Sequence, residues 1–168
     1  MIVLGIGSNL TSSFGDRFQN IDLAISYLEK YEFQIVKKSS YYETPSYPNK
    51  EDPKFINVVV EVSTSLDPIN LASVLIYIEE ILERKRIKKN APRTCDIDII
   101  DFNGEIIDFK YNNLNFVVPH EKLSSRNFVL IPLQEIKPNW RHPKSKDFIS
   151  TLIQKLPELD RKSILKIE

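Results

Sequence analysis

The sequence predicts an α+β fold: one antiparallel sheet with helices packed on one face and small C-terminal additions. Three observations lead there. Two separate segments repeat their apolar residues at helical spacing, and the segments around them alternate or run apolar as strands do. The segments also follow one another as strand, helix, strand, strand, helix, strand. At 168 residues and 42% hydrophobic content the chain suffices for one core, and residues 1–168 are expected to form a single domain.

The first strand is the apolar run Ile2 to Ile6, expected to close in a tight turn at Gly5, Gly7, Ser8 and Asn9. A phosphate loop is the sharper reading of those glycines. It fails because neither Gly-x-x-x-x-Gly-Lys nor a third glycine of a dinucleotide fingerprint is present. Residues 14–31 place Phe18, Ile21, Ala24, Ile25 and Leu28 on one helical face and Asp16, Arg17, Gln19, Asp22 and Glu29 on the other. Residues 33–42 mix aromatic and β-branched residues with lysines, as a half-exposed strand does. From Glu43 to Lys54, Pro45, Pro48 and Pro53 preclude a regular ladder, so this is a long loop of the kind that often binds or covers a ligand.

Strand character returns at residues 55–64. Val58, Val60 and Val62 share one face, and Phe55, Asn57, Val59 and Glu61 share the other. Asp67 caps a helix opened by Pro68, with Leu71, Val74, Leu75, Ile78 and Leu82 at helical spacing and an end near Glu83. The strand from Asp96 is followed by a turn at Asn103-Gly104, which suggests a hairpin to a strand at 106–109, with 111–118 a further extended piece. An apolar segment at 128–133, a connector at 137–143 and a last short helix around Phe148, Leu152, Ile153 and Leu156 complete the chain. The order is that of a ferredoxin-like fold, which leaves one sheet face free for a ligand.

Composition excludes more than it proves. Lysine plus arginine equals aspartate plus glutamate at 23 each, so overall charge gives no pull toward nucleic acid or membranes. The lone Cys95 forms no intrachain disulfide and reads as a core residue. No signal peptide or run of roughly 20 apolar residues is present, so a cytoplasmic location is expected. His120 and His142 lack partners at zinc or triad spacing.

Chemistry concentrates between Arg84 and Asp101. Six of the ten residues from Arg84 to Arg93 are basic, and the chain then passes abruptly into Asp96-Ile97-Asp98. In a strand Asp96 and Asp98 share a face about 6.6 to 7 Å apart at Cα, a spacing that suits Mg2+ ions clamping phosphoryl oxygens. Cationic ligands beside anionic metal ligands match a magnesium-bound triphosphate. A strand with a merely solvated face is the plainer alternative.

Six segments in one order carry a resemblance: Gly5-Ile-Gly7-Ser8-Asn9, Tyr42-Glu-Thr-Pro45, Phe55-Ile-Asn57, Ala91-Pro-Arg93-Thr-Cys-Asp96-Ile-Asp98, Pro119-His120 and Arg126-Asn-Phe128. Between about residues 2 and 143 the chain resembles the hydroxymethyl-dihydropterin pyrophosphokinases of folate biosynthesis. The resemblance implies a ferredoxin-like enzyme that moves the β,γ-pyrophosphoryl group of ATP to the hydroxymethyl oxygen of a dihydropterin and releases AMP. It implies Asp96 and Asp98 as ligands of two Mg2+ ions, and Arg84 and Arg93 as catalytic phosphate clamps. ATP contacts would come from Glu79, Arg86, Arg93, His120 and Arg126, and pterin contacts from Thr44, Pro45, Tyr47, Phe55, Asn57 and Phe128. Small-molecule substrates, no nucleic acid, no membrane and a monomer are the expected partners and state.

The chain departs from some members of that family. The loop between Arg86 and Arg93 is one residue shorter, and Asn90 replaces a tryptophan that covers the substrates. Ile76 replaces a nucleotide-contacting glutamine, while Asn115 and Val117 replace an arginine and a threonine that touch ATP. The competing readings are a nucleic-acid-binding ferredoxin-like module and a catalytically silent interaction domain.

Overall fold

The computed structural model describes residues 1–167. Its sheet runs β5 (Asp96–Phe102), β1 (Ile2–Ser8), β4 (Phe55–Ser63), β3 (Tyr41–Thr44) and β8 (Leu165–Ile167), with β2 (Gln34–Lys38) also paired to β4. The pairings are antiparallel. Helices α1 (Arg17–Lys30) and α2 (Pro68–Ile81) complete the expected ferredoxin-like order. Both start where local chemistry says they should. Asp16 and Gln19 form a reciprocal capping box at α1, and Asp67 accepts the Asn70 N–H at 2.8 Å at α2, with Pro68 opening the helix.

Strand alternation sorts the core. Val58, Val60 and Val62 join Ile97 and Ile99 in one apolar cluster with α1 and α2, and Cys95 is buried there as expected. Val3, Val59 and Ile100 face the other way, into a second cluster with α3 (Asn127–Ile136), α4 (Ile149–Gln154) and Trp140. The C-terminal additions therefore cover part of the face expected to be free. The part bearing Gly7, Asn57, Asp96 and Asp98 stays outside that second cluster.

Several local expectations are corrected. The glycines of residues 5–7 lie inside β1, because Gly5 and Gly7 answer close neighbours and not a turn. The segment 33–42 breaks into β2 and β3 at Ser39, whose hydroxyl accepts the Val59 N–H at 2.9 Å. The strand after Asn103-Gly104 does not pair with β5. Instead β6 (Ile107–Tyr111) pairs with β7 (Leu114–Val118) in a separate two-stranded sheet, turned by Asn112 and Asn113 at φ 55 and 62. The apolar segment 128–133, to which the sequence pattern assigns no state, lies within a helix, and α5 (Glu158–Lys162) and β8 have no counterpart among the expected elements. Among the described residues no helix is long and apolar enough to cross a membrane.

A bulge opposite Val3 and Leu4 puts both Ile100 and Asp101 on the second face. Asp101 is 2% exposed and accepts the Trp140 Nε1–H and the Gly104 N–H, each at 2.8 Å. Asp101→Ala leaves both donors unpaired beneath the second layer. It is expected to lower unfolding free energy by roughly 1–3 kcal/mol in urea titration, with the Trp140 fluorescence changed.

Candidate active site

β5 aims Asp96 and Asp98 at the second face while Ile97 and Ile99 enter the core. The register then builds a row across the sheet. Gly7 pairs with Asp96 on one side and Asn57 on the other, and Asn57 pairs with Tyr42 beyond. Directly paired residues share a face, so Asp96 and Asn57 stand roughly 10 Å apart with only a glycine between them. A Cβ at Gly7 would lie 2.9 Å from Asn57 Oδ1 and 3.5 Å from the Phe55 ring.

On the Asn57 side, Nδ2 donates to Thr44 Oγ1 at 3.0 Å. That bond fixes the carboxamide and leaves its Oδ1 and one N–H to read a flat heterocycle's edge. Phe55 lies beneath the Arg93 guanidinium, 5.8 Å from ring centroid to Cζ, and Phe128 beneath that of Arg126 at 5.7 Å. Thr44 is buried and Pro45 half-buried beside it, whereas Tyr47 is 80% exposed on the loop. Tyr47 is thus the one expected ring-binding side chain standing in solvent.

The Asp96 side is an ion network. Asp96 Oδ1 accepts from Arg84 at 2.9 Å and its Oδ2 from Arg93 at 3.3 Å. Arg84 also reaches Glu79 Oε2 at 2.9 Å, the same oxygen that accepts the Ile97 N–H at 2.7 Å, and Arg86 binds Glu79 Oε1. Glu79 is buried on α2; burial, then the Asp96 charge, pushes its pKa upward, while Arg84, the Ile97 N–H and Arg86 oppose the shift. With donors on both oxygens, Glu79 holds Arg84 and Arg86 in place and satisfies an N–H of edge strand β5.

Asp98 has no such partner. It is accessible from the cleft yet ringed by protein, and that crowding, then the Asp96 charge, pushes its pKa up to about 7. A carboxylate whose ionisation is disfavoured by crowding and by the charge of its neighbour gains from a bound cation. Among the described residues no group of three or more His, Cys, Asp or Glu is arranged to hold a metal ion. Two carboxylates still fit Mg2+, which binds one or two carboxylates and takes its remaining ligands from substrate phosphates and water.

The same cleft is lined by Arg126 and His120, beside β7. His120 Nδ1 accepts the Lys122 N–H at 3.0 Å, which puts the ring proton on Nε2, and Nε2 lies 3.4 Å from Arg126 Nη2. Burial, then the Arg126 charge, lowers the His120 pKa and keeps the ring neutral. Two donors so placed want a shared anionic acceptor, as a phosphate oxygen is. Ile76, Asn115 and Val117 line the cleft as well.

The structure thus gathers Glu79, Arg84, Arg86, Asp96, Asp98, His120 and Arg126 around one cleft, with Arg93 bridging to Phe55. Sequence reasoning missed Gly7, read as a turn, and Asn9. Asn9 Nδ2 donates to Pro53 O at 3.0 Å and its Oδ1 accepts the Arg93 N–H at 2.8 Å. A polar residue directly closing an apolar strand was the available signal.

Residues 3–138 match the family model described as 7,8-dihydro-6-hydroxymethylpterin-pyrophosphokinase (HPPK). The folic acid synthesis protein FOL1 of Dictyostelium discoideum is 40% identical over 143 residues, 85% of this chain and 20% of that protein. The 2-amino-4-hydroxy-6-hydroxymethyldihydropteridine pyrophosphokinase of Aquifex aeolicus is 37% identical over 142 residues, 84% of this chain and 83% of that one. In structure, a Plasmodium falciparum HPPK-DHPS with pteroate aligns at TM-score 0.73 and 17% identity, over 92% of this chain and 44% of that one. The chain thus spans a fifth of the slime-mould relative and under half of the Plasmodium chain, but most of the Aquifex protein.

Glu79→Ala leaves the Ile97 N–H without its acceptor and takes from Arg84 the buried one of its two carboxylate partners. Chemical denaturation is expected to show a loss of about 3–5 kcal/mol, with Glu79→Gln losing less because it keeps an acceptor.

Proposed function

The chain belongs to the 7,8-dihydro-6-hydroxymethylpterin-pyrophosphokinase family, and from that premise we propose that it transfers pyrophosphate from ATP to the hydroxymethyl oxygen of 6-hydroxymethyl-7,8-dihydropterin, releasing AMP. The observation that carries this reading is the row Asp96, Gly7, Asn57, which sets an anion-handling half beside a flat-ring half with a glycine gap between. Relatives named for this reaction in Aquifex aeolicus and Bacillus subtilis support it.

On the acceptor side, Asn57 reads the ring edge, held in orientation by Thr44, and Phe55 and Phe128 supply aromatic walls. Pro45 and Tyr47 lie on the adjoining loop and contribute to covering the ring. On the donor side, His120 and Arg126 present paired donors to a phosphate oxygen, and Arg86 adds charge from the same cleft. Arg84 and Arg93 exchange Asp96 for the phosphates as ATP arrives, so their positive charge follows the group being transferred. Asp96 and Asp98 would hold magnesium, two ions in our reading, which would supply neutralisation of the triphosphate and orientation for in-line attack. The hydroxyl proton leaves to solvent or a phosphate oxygen, so no protein nucleophile is required. Ile76, Asn115 and Val117 give the nucleotide end a less polar lining than an arginine, a threonine and a glutamine would.

A base-stacking module would need its second sheet face open, and α3 and α4 cover Val3, Val59 and Ile100 there. The nucleic-acid alternative is therefore set aside.

Incubation with magnesium, ATP and 6-hydroxymethyl-7,8-dihydropterin is expected to yield AMP and the pterin pyrophosphate, read by chromatography. ADP in place of AMP, or no pterin product, defeats the assignment. Arg93→Ala is expected to cut kcat by roughly a hundredfold or more. Gly7→Ala, whose methyl would press on Asn57 Oδ1, is expected to weaken pterin binding by about tenfold, about 1.4 kcal/mol, in fluorescence titration.

A further inference from the structure

α3 starts without a local cap: Arg126 stands at its N-cap and makes no side-chain bond to the free N–H groups of the first turn. Its first residue is held from elsewhere. Asn127 Nδ2 donates to Asp160 O at 2.6 Å and to Ser163 Oγ at 3.2 Å, at the C-terminal end of α5. A carboxamide suits that place because its nitrogen carries two N–H groups, one for each acceptor. From Ser163 the chain runs into β8, which pairs Tyr41 with Ile167, Tyr42 with Lys166 and Glu43 with Leu165. The next residue of β3, Thr44, holds the Asn57 carboxamide. The segment 160–167 thus leads from the neighbour of Phe128 to the neighbour of Thr44. At its far end α3 is tied to this part of the sheet directly, where Glu135 accepts the Ser40 N–H at 2.9 Å and the Tyr42 hydroxyl at 3.0 Å.

We propose that Asn127 is a positioning residue that sets the Phe128 ring against the acceptor, by tying the first turn of α3 to the C-terminal segment. The inference rests on the pyrophosphokinase reading above. Phe128 follows Asn127 directly and is half-buried, so its ring moves with that turn. Contact between flat rings tolerates little displacement: a gap of roughly 0.5–1 Å forfeits about a quarter to a half of the dispersion attraction. The donor side is held by other means. His120 is oriented by the Lys122 N–H, Arg84 by Glu79, and the long Arg126 side chain can follow a phosphate when its backbone shifts. Loss of the Asn127 tie therefore falls on acceptor binding and spares nucleotide binding.

The test is calorimetric titration of the full chain and its variants, first with magnesium and α,β-methylene-ATP, then with 6-hydroxymethylpterin at saturating nucleotide. Asn127→Leu is close in size and cannot donate. It is expected to weaken pterin binding about tenfold while nucleotide binding stays within about twofold of wild type. Ser163→Ala removes one of the two acceptors and is expected to weaken pterin binding about threefold, with the nucleotide again spared. The double variant is expected to bind pterin no more weakly than Asn127→Leu alone, since both changes break one tie. Asp101→Ala destabilises the same layer without touching the tie and is expected to bind both ligands as wild type does, so lost stability does not imitate the effect. Wild-type pterin affinity in Asn127→Leu, or in Ser163→Ala should the first variant not fold, overturns the proposal, as does an equal loss for both ligands. Wild-type protein that binds no pterin defeats the pyrophosphokinase reading itself, a distinguishable result.

Discussion

A carboxyl group as deeply buried as that of Glu79 must find donors for both of its oxygens, and this requirement organises the cleft. Three donors meet it: Arg84, Arg86 and the Ile97 N–H. The first two come from the basic loop and the third from the edge of β5, so one acid on α2 ties helix, loop and sheet together. Arg84 then spans Glu79 and Asp96 and carries the arrangement from the core to the cleft floor. The network is a poor source of stability compared with apolar packing, because desolvation offsets most of its attraction. Its value is in orientation. Arginines held by a buried acid keep their place when the outer carboxylate exchanges partners.

The second constraint is the sharing of one sheet face between packing and chemistry. α3, α4 and Trp140 occupy the part of that face bearing Val3, Val59 and Ile100, and the bulge on β5 supplies Ile100 and Asp101 to that layer. Without the bulge, strict alternation would send only one of those two residues to the second face. The layer also sets Phe128 and Arg126 at the start of α3 beside the cleft. A structural addition therefore supplies one aromatic wall and one cation of the proposed site.

Three of the four positions at which the resemblance implies a departure line one cleft. Ile76, Asn115 and Val117 line the donor end of the cleft, while Asn90 takes a left-handed φ of 62 within the basic loop. The Asp96, Gly7, Asn57 row contains none of them.

Local chemistry in the chain determined the caps at Asp16 and Asp67, the periodicity of α1 and α2, the faces of β4 and β5, and the basic-to-acidic passage from Arg84 to Asp98. Each is a short-range property, readable because helix and strand periods are set by the backbone. The separate β6–β7 sheet, the helical state of residues 128–133 and the β5 bulge depend on long-range pairing, which short-range pattern does not specify. The same holds within the site. Asp96 and Asp98 were legible as a pair two residues apart, and Phe55 with Asn57 likewise. That Gly7 stands between those pairs was decided by register alone, because a one-residue slip would turn each of those side chains to the opposite face. Glu79 gripping two arginines, and Asn9 joining Pro53 to Arg93, belong to that second kind too: their partners lie on other segments, and only the packed fold brings donor and acceptor within bonding distance.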